Sequence, residues 1–533
     1  MIGISGNLED RQSSKALLPP RHRRLRTSWH VAALTLVFAS ALAVRVYRIG
    51  EPPLDFHPTR QFLTALQARC LYFERTPGVA GWRLALAVQN APTRYEFPLL
   101  QWLAASGYRL HGGEDLRIPR LFSVLAWLVG GVLVYRAARR LASSDGALVA
   151  AAFFLLCPFG VAASRAIQPD PLMVTLLVLT YLTLQRYGER GGAWPLLAAA
   201  ASAGLATLVK PMALFQVVGG FLAVWYARRR QGDAAVAEIG PFALVVAAVG
   251  GGYYVLEWFG ASGVRDYAQQ VFLPHLLFTG AFWKGWLAQI WKVVGFAAPG
   301  AAVLGFLALP KGIGRALVAG LAGGYVLYVL CFNYTGFTHD YYHLQLIPLV
   351  ALALAPLADR VTAKLREAPL VASASSGVVL TVVFVSAVLD LAVVSYYRER
   401  EASFTAEAAT YREVGALVGR GTRNVLLANY YALPLEYYGE IGGTYWPHSF
   451  DVRHERLMGL PGVRAEERLA AIIAAGEARY FIATNLRELH AQVDLERFLE
   501  AHFSTRAATD RYIIYDLRAP RRENALGNES IHR

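Results

Sequence analysis

Over the first three quarters of the chain, long apolar runs alternate with short charged clusters. The runs predict about eleven membrane spans, at 29–46, 118–134, 147–163, 172–184, 193–208, 212–226, 241–256, 290–309, 316–332, 344–357 and 370–394. Several are shorter than the roughly 20 residues of a full crossing. The clusters RHRRLR, YRAARR, ARRR, KGIGR and RVTAKLR then all fall on one side, which the positive-inside rule makes cytoplasmic. Residues 1–29 are polar and Ser/Arg-rich, and predict a disordered cytoplasmic tail. The first run lacks a small-residue cleavage site, so it reads as a retained span. An odd number of spans leaves the C-terminal tail outside.

Between the first two spans lies an outer loop, 51–117. Within it, 63–73 and 97–110 are amphipathic but interrupted, and predict helices lying in the membrane interface. Another outer segment, 257–286, has the Trp, Tyr and Phe content of an interfacial belt. From Ser395 the pattern changes. NVLLA, RYFIAT and YIIYDL read as buried strands, with helical patterns such as AEAATYREVGALVG and AEERLAAIIAAG between them. Strands alternating with helices predict a small α/β domain with a mainly parallel sheet. The stretch NYYALPLEYYGEIGGTYWP is notably aromatic and suits a sugar or the membrane surface. The expected architecture is a polytopic α-helical membrane domain, 30–394, followed by an extracytoplasmic α/β domain, 395–533.

Composition supports this picture. The chain is 55% hydrophobic and 17% charged, against about 25% charged in an average soluble domain. A net charge of +14 would suggest nucleic acid in a soluble protein. Here the basic clusters recur at alternate loops and set topology instead. Cys70, Cys157 and Cys331 are widely spaced and form no CxxC or metal pattern, so no disulfide framework is expected.

The candidate chemistry concentrates in the loop 51–117, where charges beside the apolar boundary are expensive unless used or paired. Asp55 suits a general base taking a proton from an acceptor hydroxyl or amine. It also suits an oxygen ligand for a divalent cation, or a cap for the helix that follows. Glu96 suits orienting that base or binding sugar hydroxyls, and equally a surface salt bridge of small energetic consequence. Arg60, Arg94, Arg165 and Lys210 are of the type that binds phosphate near a membrane surface; each alone also suits a snorkelling anchor. His57 and Tyr95 lie among these groups and complete the candidate binding set of the loop. Arg165 and Asp170, in SRAIQPDP, read as an ion pair closing the outer end of two spans. Arg165 also stands on the side that the charge rule disfavours, which marks it for function. His339, Asp340, Tyr341 and Tyr342, in HDYYH, suit contact with phosphate or sugar, or an aromatic belt. His339 and His343 have helical zinc spacing, but no HExxH or third ligand accompanies them.

Taken in order, several of these segments resemble the GT-C glycosyltransferases, specifically bacterial relatives of protein O-mannosyltransferase and of the aminoarabinose transferase that modifies lipid A. The resemblance covers about residues 30–360. It rests on Asp55 soon after the first span, then Tyr95, Glu96, Pro98, Leu99 and Trp102. Arg117, Pro119, Arg120, Leu121, Phe122 and Ser123 open the second span. Ser164, Arg165, Pro169 and Asp170 follow, then Gly204 to Lys210, and finally Tyr341, Tyr342 and Pro348. The resemblance implies transfer of a sugar from a polyprenyl-phosphate carrier to an acceptor on the outer face of the inner membrane. It implies an inverting displacement with the first-loop carboxylate, Asp55, at its centre. It implies a lipid-linked donor, a protein, lipid or glycan acceptor, and no nucleic acid. No cofactor is required, although a divalent cation is compatible with the chemistry.

The chain departs from the family pattern in two places. Phe97 stands where the aminoarabinose branch carries a lysine, which argues against lipid A modification. It leaves phosphate to Arg60, Arg94, Arg165 or Lys210. Asp55 stands alone rather than in the Asp-Glu pair of the protein mannosyltransferases, so the acceptor stays open. The competing reading is a transporter or flippase for a lipid-linked or polar solute, which the span number also suits. Against it, no internal repeat relates the two halves, and the charges lie in outer loops rather than mid-span.

Overall fold

Proline and glycine divide the hydrophobic two-thirds of the chain into helices, and their positions set the shape of the bundle. A computed structural model describes residues 20–91, 95–260, 263–367, 403–457, 461–475 and 478–520. The span expected at 370–394 lies outside the described residues. The first helix, α1 (Pro20–Val46), carries the first expected span. Three shorter helices form the loop 51–117: α2 (Pro58–Phe73), α3 (Gly81–Asn90) and α4 (Leu99–His111). The bundle continues with α5 (Arg117–Ala138), α6 (Ser144–Leu156), α7 (Pro158–Ser164), α8 (Asp170–Arg190), α9 (Ala193–Val209) and α10 (Ala213–Arg230). Next come α11 (Ile239–Val246), a π-helical turn and α12 (Gly252–Phe259), which together make one apolar span. The rest are α13 (Val264–Val271), α14 (Gly280–Val294), α15 (Ala297–Ala308), α16 (Ile313–Cys331), α17 (Asn333–Thr338) and α18 (Leu346–Glu367).

Among the described residues, five helices are long and apolar enough to cross a membrane, or up to seven if each of two bent pairs is one span. The bends have local causes. Pro158 drives Cys157 to an extended conformation (φ −61°, ψ 121°), and α6 and α7 meet at 56°. Gly295, at φ 65°, ends α14, and α15 departs at 85°. The run at 290–309 is therefore broken, not the straight span that its hydropathy suggested. Pro211 acts similarly on Lys210, which is extended (φ −149°, ψ 122°) and ends α9.

The helices pack around one large core that includes Trp127 stacked on Phe154 at 4.3 Å. In lipid, apolar side chains gain little by leaving the surroundings for a helix interface, so close backbone approach matters more. Here α10 and α16 meet through Gly219, Gly320 and Gly324. A Cβ on Gly219 would strike the Gly320 carbonyl oxygen, and a Cβ on Gly320 the Gly219 carbonyl oxygen.

Residues 403–520 form a five-stranded sheet covered by helices on both faces. The strands are β1 (Arg423–Leu427), β2 (Gly442–Tyr445), β3 (Tyr480–Ala483), β4 (Phe503–Ala508) and β5 (Ile513–Pro520), in the order β2-β1-β3-β5-β4. β1 pairs in parallel with β2 and β3; β5 pairs antiparallel with β3 and β4, so β4 points the same way as the first three. The sheet is mixed: four of its five strands run one way and β5 runs against them. β2 and β4 escaped notice because GGTY and FSTRAA lack a strand-like apolar pattern.

This unit docks on α2. Tyr437 packs with Leu54, Phe62 and Leu66. Arg69 donates to the Tyr437 carbonyl at 2.8 Å and lies 3.6 Å from its ring centre. On α3, Arg83 pairs with Glu440, and Asn90 donates to the Ile441 carbonyl at 2.8 Å. Replacing Gly320 with valine should weaken the bundle by about 1–3 kcal/mol, the usual cost of overpacking. The check is a lowered unfolding temperature in detergent, with Gly323→Val, at an open position, as the silent control.

Candidate active site

The outer loop returns to the bundle as a strapped segment. Leaving α1, the chain passes Ile49 and Glu51, whose carbonyls accept from Arg120 Nη1 at 3.0 and 2.8 Å. Arg120 sits in the first turn of α5 and is 1% exposed. Its Nη2 donates to Asp55 Oδ1 at 3.0 Å. The same oxygen accepts from Gln61 Nε2 at 3.1 Å and from the Phe56 amide at 3.0 Å. Gln61 also donates to the carbonyls of Pro53 and Phe56, and its Oε1 accepts from the Ile167 amide at 2.9 Å. One buried amide thus holds the loop against the segment that leads into α8. Asp55 Oδ2 takes no hydrogen bond among the described residues, leaving one oxygen engaged and one available. Burial alone would raise the Asp55 carboxyl. Arg120, Arg165 and the Gln61 bond outweigh it and hold the group below its ordinary 3.8.

Two residues further on, His57 takes a left-handed conformation (φ 45°, ψ 65°) and begins α2 without a side-chain cap. Its Nε2 lies 2.6 Å from Asp340 Oδ1, at the start of the last described bundle helix. Lys292 Nζ is 3.8 Å from the other oxygen of Asp340. The His57 ring stands edge-on to Tyr341 at 4.8 Å.

One turn into α2, Arg60 donates to Glu96 Oε2 at 2.8 Å. Lys210, freed from α9 by Pro211, lies 3.3 Å from Glu96 Oε1 and donates to Asp170 Oδ1 at 2.8 Å. Lys210 is fully buried and Asp170 is 1% exposed. Two cations and two carboxylates therefore balance in a low-dielectric setting. Burial would raise the Glu96 carboxyl, but Arg60 and Lys210 hold it below 4.5. Lys210 Nζ also lies 4.7 Å from the Tyr342 ring centre and 5.4 Å from that of Tyr341, and Arg60 lies 5.9 Å from Tyr341. Tyr342 shares a hydroxyl–hydroxyl bond with Tyr267, whose ring lies 5.6 Å from Tyr95. His339 stands edge-on to Tyr341 and Tyr342 at 5.7 and 5.8 Å.

The structure thus brings together Asp55, His57, Arg60, Tyr95, Glu96, Arg165, Asp170, Lys210, His339, Asp340, Tyr341 and Tyr342. Arg94 lies outside the described residues. Four sequence readings change. Asp55 does not cap α2; it is strapped to Arg120 and Gln61. Arg165 does not pair with Asp170: it donates to the Tyr47 carbonyl at 2.8 Å, and Lys210 takes Asp170. Glu96 is no surface carboxylate, being paired twice and 13% exposed. Tyr341 and Tyr342 form no belt, each being 4% exposed. His343 is buried between the Gly336 carbonyl at 2.7 Å and the Tyr325 hydroxyl at 2.6 Å, as a packing group would be.

A divalent cation does not fit the Asp55 surroundings. Two guanidinium groups face the carboxylate. Among the described residues, no three His, Cys, Asp or Glu side chains gather as a metal set. Several partners were not singled out from sequence: Arg120, Gln61, Lys292 and Tyr267. Arg120 stood in a segment that carried the family resemblance, which was its only signal. Gln61 gave none, since a glutamine early in a helix is unremarkable.

The comparisons with known proteins bear on the fold. The family model for dolichyl-phosphate-mannose-protein mannosyltransferase matches residues 92–250. No curated protein sequence matches the chain. Among solved structures, apo ArnT from Cupriavidus metallidurans superposes with a TM-score of 0.55 at 16% identity, over 93% of this chain and 98% of that one. ArnT from the same organism bound to undecaprenyl phosphate gives 0.52 at 16% identity, over 92% and 97%. The oligosaccharyltransferase AglB from Archaeoglobus fulgidus, with an inhibitory peptide and a dolichol-phosphate, gives 0.51 at 12% identity, over 90% and 73%. The GT-C resemblance is borne out at the level of fold.

Two outcomes test the site's electrostatics. Lys210→Met strands buried carboxylates and should cost about 3–5 kcal/mol, most of it recovered in a Lys210→Met/Asp170→Asn pair; thermal unfolding in detergent reads both. Asp55 and Glu96 have folded values below their unfolded ones, so their stabilisation is complete above the unfolded values and is lost as pH falls through the folded ones. Unfolding temperature measured from pH 6 down to about pH 3 should therefore fall in the wild type, and less steeply in Asp55→Asn/Glu96→Gln.

Proposed function

We propose that this protein is an integral-membrane glycosyltransferase that moves a sugar from a polyprenyl-phosphate donor to an acceptor at the outer membrane face. The observation that carries this reading is the asymmetry of Asp55. Arg120 and Gln61 hold one oxygen, and the other takes no hydrogen bond among the described residues, two positions before His57, which reaches Asp340. An acceptor hydroxyl oxygen attacks the anomeric carbon, and its proton passes to Asp55 Oδ2. The bond from the anomeric carbon to the phosphate oxygen breaks, and the phosphate leaves with the electron pair. A single displacement of this kind inverts the anomeric centre.

Arginine pairing makes Asp55 a weak base in the resting site, but it keeps the group ionised. The hydroxyl acidifies as it bonds to carbon, so the transfer becomes favourable late in the step. Arg60 and Lys210 supply positive charge near the developing phosphate charge. Phe97 packs against Trp102 and Tyr253 at 4.9 and 5.2 Å, and Lys210 reaches Glu96 from the α9–α10 break instead. The cation beside Glu96 thus comes from elsewhere in the sequence, which supports a phosphate role for Lys210. The similarity of fold to a structure bound to undecaprenyl phosphate supports a lipid carrier. The same reading puts the protein in the inner membrane, with the N-terminus cytoplasmic and the sheet domain outside.

The test is sugar transfer in membranes containing wild type or Asp55→Asn, supplied with a pool of polyprenyl-phosphate sugars. Asparagine keeps the size and can still accept from Arg120. Transfer should fall by about 10²–10⁴-fold with insertion unchanged. Unchanged transfer would remove Asp55 from the chemistry. No transfer by the wild type from any donor would favour transport of a lipid-linked solute.

A further inference from the structure

The aromatic stretch between β1 and β2 does more than cover α2. After Asn429 the chain takes three consecutive left-handed residues, Tyr430, Tyr431 and Ala432, at φ 58°, 56° and 62°. None is glycine, and such strain persists where surrounding structure enforces it, often at binding sites. The turn sits on α2, the helix that carries Arg60. Its effect is to bury Ala432, at 1% exposure, while turning the Tyr431 ring outward, at 53%.

That ring is not isolated. Tyr431 lies 5.1 Å from Tyr445, which lies 5.6 Å from His448. Asp451 Oδ2 accepts from the Tyr445 hydroxyl at 2.6 Å and from the His448 amide at 3.0 Å, leaving Oδ1 without a bond among the described residues. On its other side, Tyr431 is close enough to Tyr334 for their phenols to interact electrostatically. The rings then continue inward. Tyr334 to His339 is 6.5 Å, His339 to Tyr341 is 5.7 Å, and Tyr341 to His57 is 4.8 Å. A line of rings thus runs from Tyr334 to the Asp55 loop, with Tyr431 of the sheet domain beyond its outer end.

We propose that Tyr431, Tyr445, His448 and Asp451 form a carbohydrate-binding platform that seats a glycan acceptor and directs its end toward Asp55. Pyranose rings present C–H faces that pack on aromatic faces, and their hydroxyl pairs donate to carboxylates. A line of rings with a fixed carboxylate beside it meets both needs. Membrane contact explains the patch less well, because a carboxylate beneath the rings would be costly in lipid. The proposal rests on the transferase reading and makes its acceptor a glycan.

The test uses the full chain in lipid nanodiscs, with radiolabelled mannotriose and chitotriose as probes in equilibrium dialysis. Tyr431→Gly removes the ring but suits the backbone, since glycine takes φ near 56° freely. Its folding should therefore hold, as unfolding temperature will show. One probe should bind the wild type saturably. Tyr431→Gly should weaken that binding by about tenfold or more, a loss of roughly 1.4 kcal/mol. Tyr431→Phe, which keeps the ring, should bind as the wild type does. Asp451→Asn should weaken binding, and undecaprenyl phosphate binding should be the same in all four proteins. Failure of both probes to bind the wild type, or binding that survives Tyr431→Gly, overturns the proposal. Glycan binding by a protein that transfers no sugar would remove the transferase reading and keep the platform. Transfer to a glycan acceptor with a KM untouched by Tyr431→Gly would remove the platform and keep the transferase.

Discussion

A lysine with no exposed surface, in a protein built mostly of apolar helices, must be neutralised where it stands. Lys210 meets that demand by lying between Asp170 and Glu96, and Glu96 in turn requires Arg60. No member of this quartet is tolerable alone, because an unpaired buried charge is costly. The four residues come from α8, from the break between α9 and α10, from the outer loop and from α2. Satisfying one lysine therefore fixes the relative positions of four segments. Asp55 and His57 are positioned by the same α2 that delivers Arg60.

The outer elements inherit this rigidity. Near its start α2 presents Arg60 to the charge quartet, and near its end it presents Arg69 to the sheet domain. Tyr437 and the left-handed turn rest on the same helix. The sheet domain is thus seated on the element that shapes the site.

Much of this was legible in the sequence, where the signal was local. The span at 29–46 and the start of α5 followed from hydropathy, and the α9 break from Lys210-Pro211. The strands NVLLA, RYFIAT and YIIYDL were plain because they are buried and apolar. What was not legible depended on direction or distance. Nothing in YIIYDL says that it runs against its neighbour. Nothing near Asp170 says that its partner is Lys210 rather than Arg165, which is closer in sequence but turned toward Tyr47. The apolar run at 290–309 hid a sharp bend because hydropathy is blind to a single glycine. Convergence of the candidate site residues is a property of packing, and no spacing rule encodes it.

The charge quartet and the His57–Asp340 contact also impose an order on biosynthesis. Asp170 and Lys210 are 40 residues apart and can neutralise each other as soon as both have entered the membrane. Glu96 and Arg60 have been made by then. His57, in contrast, meets Asp340 across 283 residues of chain. The Asp55 loop therefore spends most of translation without its last fastening. A nascent chain that ends before Asp340 can already pair the four charges of the quartet, while its Asp55 loop still lacks the His57–Asp340 contact.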